Sequence, residues 1–156
     1  RNELADICIN LHAFFVNICG YCDNLAWTIV CEKGLDKKLN KMEINLFSEK
    51  IIGLMDEDMS KYLKAESMAK WQKEHLKDYR DALSHRIPLY VPPEMVNQES
   101  QEILEGPAPF YIHSLLGDNK YVVLHPQIIV DFKTVLEIGE KFSETLTGCS
   151  EKENIS

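Results

Sequence analysis

Residues 3–33 read ELADICINLHAFFVNICGYCDNLAWTIVCEK, and this stretch decides the fold. Leu4, Ile7, Leu11, Phe14, Phe15, Ile18, Cys22, Leu25, Ala26 and Ile29 recur at spacings of three and four. That spacing lines up apolar side chains on one face of an α-helix, and such a face needs a core to bury it. The helix is long, about eight turns. Gly34 follows Glu32 and Lys33 and supplies a left-handed stop. Asn17, Asp23 and Asn24 are polar interruptions expected on its solvent side, with Asn24 alternatively serving a neighbouring element. The expected class is all-α.

Outward from this helix the pattern changes. Met42, Ile44 and Leu46 alternate with polar residues, which predicts a short extended stretch. Residues 48–52 predict a short helix. From Asp56 to Arg86 helical spacing returns, with Met59, Tyr62, Ala65, Ala69, Leu76, Tyr79 and Leu83 as its stripe. Pro88 forbids continuation and biases Ile87 toward extended backbone. Five of the six prolines fall in residues 87–109, which read as a connector. Phe110-Tyr111-Ile112-His113 and Tyr121-Val122-Val123-Leu124 are β-prone, and Gly117-Asp118-Asn119 between them carries turn residues. A two-stranded hairpin packed on the helices follows. His125-Pro126 opens a last helix, Pro126 being suited to a first turn. Its expected apolar face is Ile129, Phe132, Val135, Leu136, Ile138, Gly139 and Phe142, and its expected end lies near Leu146 to Gly148. The organisation reads as one domain over residues 1–156, with a hairpin insertion at about 108–125 and a tail at about 149–156.

Length and composition narrow the function. The chain has 156 residues, 45% hydrophobic and 27% charged, values ordinary for a soluble globular protein. A net charge of −8 argues against a broad electrostatic grip on nucleic acid or anionic membrane. No stretch reads as continuously apolar over the roughly 18 residues of a membrane span. The helical pattern is already under way at Arg1, which lacks a Met, so further native sequence before it is expected; no signal peptide is read. Five cysteines, Cys8, Cys19, Cys22, Cys31 and Cys149, form no regular framework, which fits a reducing, cytoplasmic setting. Cys19 and Cys22 have CxxC spacing, yet no second Cys or His pair stands at zinc-ligand distance in sequence. Cys8, Cys19 and Cys22 therefore read as buried core thiols. No metal and no cofactor are expected. His12 reads as a partly buried core histidine.

Chemistry concentrates in Tyr79-Arg80-Asp81-Ala82-Leu83-Ser84-His85-Arg86-Ile87-Pro88, at the end of the second helical run. Arg80 is a permanent cation whose forked donors suit phosphate. His85 can take or give a proton near neutral pH. On a regular helix, residues five apart lie about 140° from each other around the axis. Arg80 and His85 thus do not share a face, whereas Asp81 and His85 do, and so do Arg80 and Ser84. Asp81 is placed to orient the imidazole and favour its charged form. Arg80 falls within the apolar stripe, where a guanidinium needs a partner. A purely structural account has Arg80 in a salt bridge and His85 capping the helix beside the proline.

The run Arg80-Asp81-Ala82-Leu83-Ser84-His85 resembles the R-x4-6-H signature of the HEPN superfamily, in which a polar residue commonly follows the arginine. The chain also resembles a set of uncharacterised bacterial proteins. That likeness rests on Asp23-Asn24-Leu25-Ala26-Trp27, on residues 79–93 and on His125-Pro126-Gln127. The HEPN resemblance implies a helical bundle, here with long helices and an inserted hairpin, and usually a homodimer. It implies a metal-independent endoribonuclease of a toxin or defence system, with Arg80 and His85 acting on an RNA phosphodiester and Asp81 and Ser84 supporting them. An antitoxin or nucleotidyltransferase partner, and no membrane, go with that reading. The alternative is a non-catalytic binding or assembly module, which other members of the superfamily resemble. The hairpin and the proline-rich connector depart from a minimal bundle.

Overall fold

A left-handed glycine ends the first helix. The computed structural model describes residues 3–77, 110–112 and 121–153. Helix α1 runs from Glu3 to Glu32. Gly34 has φ 62°, its N–H donates to the Cys31 carbonyl at 2.9 Å, and Leu35 N–H reaches back to the Val30 carbonyl at 2.9 Å. This paired closure satisfies carbonyls that the helix end would otherwise leave bare. A side chain at position 34 would strain that backbone.

The remaining elements are a 3-10 turn (Lys41–Glu43), α2 (Glu49–Ile52), α3 (Glu57–Lys64), α4 (Glu66–Trp71), a π turn (Gln72–Leu76), β1 (Phe110–Ile112), β2 (Tyr121–Val123) and α5 (Leu124–Glu153). The described chain is thus mostly helical, as the periodicity predicts. It forms two compact units, Arg1–Asn17 with Lys73–Phe132, and Ile18–Gln72 with Lys133–Ser156.

In the first unit, Leu11 and Phe15 of α1 are buried, and Cys8, Phe14, Val122, Leu124 and Ile128 pack against them. The rings of Phe14 and Phe15 meet edge to face, 5.4 Å between centroids. The expected hairpin forms: β1 and β2 pair antiparallel, with Phe110 opposite Val123, Tyr111 opposite Val122 and Ile112 opposite Tyr121. The turn residues Gly117 to Asn119 lie outside the described residues.

In the second unit the rest of α1 buries Ile18, Cys22, Ala26, Ile29 and Val30. Each fully buried large apolar side chain contributes roughly 1.5–3 kcal/mol of transfer free energy. Capping side chains set the short elements that follow. Asn40 Oδ1 accepts from Met42 N–H, Ser48 Oγ from Ile51 N–H and Asp56 Oδ1 from Met59 N–H. Ser60 Oγ donates to the Ile52 carbonyl at 2.9 Å and so fastens α3 to the end of α2.

Four expectations about this frame need correction. First, residues 42–46 form no strand. Asn40 and Asn45 each bond a backbone N–H two residues on, and these local bonds bend the chain where a strand would extend it. Ile44 and Leu46 are buried, but Met42 is 92% exposed.

Second, the helix read from Asp56 to Arg86 is interrupted. Ala65 has φ −58° and ψ 142°, ending α3 and starting α4. The buried residues are Met59, Leu63, Met68, Trp71 and Leu76, whereas Ala69 of the expected stripe is exposed. Leu63 and Met68 are five apart, a spacing that would turn them about 140° from each other on an unbroken helix. The break at Ala65 resets the phase. Trp71 and Leu76 are also five apart, and between them the chain takes the wider π turn.

Third, the expected face of α5 holds only in part: Val135, Ile138 and Phe142 turn inward as expected, whereas Ile129, Phe132 and Leu136 do not. Asp131, Ile138, Phe142 and Thr145 are buried, and Ile128 and Val135 are half-buried between them. These six are spaced alternately three and four residues apart along α5. Ile129, Phe132 and Leu136 of the expected face are 41%, 53% and 49% exposed.

Fourth, α5 continues past Gly148 to Glu153, through most of the expected tail. One glycine costs a helix only about 1 kcal/mol, and the Glu, Lys and Glu that follow favour helix.

The expected absence of an apolar span is revised as well. The segment Asp6–Glu32 is long and apolar enough to cross a membrane by length and composition. Buried core helices and signal sequences meet the same criterion. No formal charge falls between Asp6 and Asp23, and the scattered Asn and His residues break the run without lowering its mean hydropathy enough.

Candidate functional site

Arg80, Asp81, Ser84 and His85 lie outside the described residues, which stop at Lys77 on this part of the chain. The approach to them is defined. α4 begins after the Ala65 break, Met68 and Trp71 fix it in the second unit's core, and Phe47 meets Trp71 edge to face at 6.2 Å. The π turn then leads to Lys77. π turns widen a helix by one residue and are common beside functional positions.

The described residues contain three further polar arrangements. The first is a buried carboxylate of α5. Asp131 is 1% exposed, and the Gln127 side-chain amide donates to its Oδ1 at 2.8 Å. Burial of a carboxylate is costly unless hydrogen bonds replace its water. Sequence reading passed over Asp131 because it interrupts Ile128, Ile129, Val130 and Phe132. Its signal was the Gln127 four residues earlier, one helical turn away and on the same face.

The second arrangement joins α3 to α5 in the second unit. Tyr62 Oη donates to Glu137 Oε2 at 3.1 Å, and Lys141 Nζ stands 5.1 Å from the centre of the Tyr62 ring. Partial burial and the adjacent Glu137 carboxylate push the Tyr62 hydroxyl up to about 12. At neutral pH this hydroxyl is a donor and holds its proton firmly. The sequence placed Tyr62 on the core stripe, which accounts for its ring but not its hydroxyl.

The third is the cysteine pair of α1. Cys22 is buried, and burial first, with Cys19 and Asp23 nearby, pushes its thiol up to about 12. A thiol held in that form is a poor nucleophile and a poor metal ligand. The expectation of buried thiols holds for Cys22; Cys8 and Cys19 are half-buried, because their positions fall at the margins of the buried stripe. Cys8, Cys19, Cys22 and Cys31 form no disulfide. Among the described residues no three His, Cys, Asp or Glu side chains gather as a metal site.

Two histidines fall where the sequence placed them. His12 is half-buried, and its enclosed Nε2 has no hydrogen-bond partner among the described residues. His125 is exposed in the first turn of α5.

No family model, curated protein or solved structure matches the chain.

Proposed function

We propose that this protein is a HEPN-like, metal-independent endoribonuclease whose working residues are Arg80 and His85. The observation that carries the reading is the run Arg80-Asp81-Ala82-Leu83-Ser84-His85, placed between a helical segment and Pro88. The helical character of the described residues supports it. His85 serves as general base toward an RNA 2′-hydroxyl, or as general acid toward the leaving 5′-oxygen. The 2′-oxygen forms the new bond to phosphorus, the 5′-oxygen bond breaks, and a cyclic phosphate remains. Arg80 holds the phosphate and offsets the charge that gathers on its oxygens. Asp81 orients His85, and Ser84 shares the Arg80 face. A homodimer supplies two such pairs to one groove, so acid and base come from different subunits. An antitoxin or nucleotidyltransferase partner would then restrain the activity.

The test is incubation of RNA with purified protein in chelator, beside Arg80→Ala and His85→Ala variants. The reading expects cleavage that falls by about 100-fold or more in each variant. Absence of cleavage, or cleavage that survives both substitutions, rejects it.

A second reading, a non-catalytic binding or assembly module of the same superfamily, is favoured by the net charge of −8. An acidic chain gains little general attraction for RNA. This reading expects a stable dimer or a specific protein partner and no RNA turnover. A strictly monomeric species that captures no partner counts against it.

A further inference from the structure

We draw no further inference here: the strongest candidate, the exposed apolar stripe of α5 formed by Ile129, Phe132 and Leu136, is an unpartnered helix face, and nothing in the structure shows what covers it.

Discussion

Gln127 donates a hydrogen bond to Asp131 across one turn of α5, 2.8 Å from amide nitrogen to carboxylate oxygen. The acceptor is buried, 1% exposed. Truncating it removes a buried hydrogen bond and leaves a donor to be re-solvated, a loss of about 1–3 kcal/mol. Asp131→Ala is therefore expected to lower the urea midpoint clearly. Asp131→Asn keeps an oxygen for Gln127 and should lose less. Equal midpoints for Asp131→Ala and the parent would show that the carboxylate contributes nothing to stability.

The Tyr62 hydroxyl carries a pH signature. Its folded-state pKa, about 12, lies above the ordinary value of 10.0. The folded state thus holds the proton more tightly than the unfolded state. The stability linked to this group is fully present below pH 10 and is lost as pH rises through about 12. Tyr62→Phe should remove this part of the alkaline fall. Denaturation midpoints from pH 8 to pH 12, compared between parent and variant, test it. The hydroxyl is substantially solvated, so at pH 7 the substitution should cost only about 0.5 kcal/mol. Parallel pH curves for the two proteins would contradict this role.

Gly139 makes room for Tyr21. A Cβ at position 139 would collide with the Tyr21 hydroxyl. Ala exceeds Gly in helix propensity by about 1 kcal/mol. In the parent, Gly139→Ala should gain less than that, because Tyr21 must swing aside. In a Tyr21→Ala background the full gain should return. Thermal melts of the four proteins form a double-mutant cycle. A zero coupling energy would mean that the two residues do not constrain each other.

Ala65 starts α4 without a side-chain cap, although its extended backbone is that of a capping residue. Ala65→Asp should supply an oxygen to the free N–H groups of the first turn and a negative charge at the helix start. The expected gain is about 0.5–1 kcal/mol, read as a raised melting temperature. A lowered one would indicate that α3 and α4 gain more from being continuous than from the break.

The sequence carried the helical class, α1 and its glycine stop, the short helix after Ser48, the hairpin pairing and the start of α5. All of these rest on local signals, namely three–four spacing, capping side chains, Gly34 and β-prone runs. The motif of Arg80 and His85 is equally plain as a string of residue types. Whether the two side chains converge is a different matter. Residues five apart on a regular helix point about 140° from each other, so convergence would depend on elements distant in sequence.

Two features show why local signals run out. Around position 65 nothing in the residues breaks a helix, since neither Gly nor Pro is present. The break follows from the five-residue step between Leu63 and Met68, which matters only once both must face one core. On α5, the stripe of Ile129, Phe132 and Leu136 is as apolar as the stripe of Ile128, Val135 and Ile138. Only neighbouring elements distinguish them, and they bury the one that includes Asp131. Sequence by itself determined the periodicity and ends of most helices here, because backbone hydrogen bonds and caps are local. Tertiary structure alone decided where the periodicity breaks and which adjacent face turns inward, because burial is a property of the partners a helix meets.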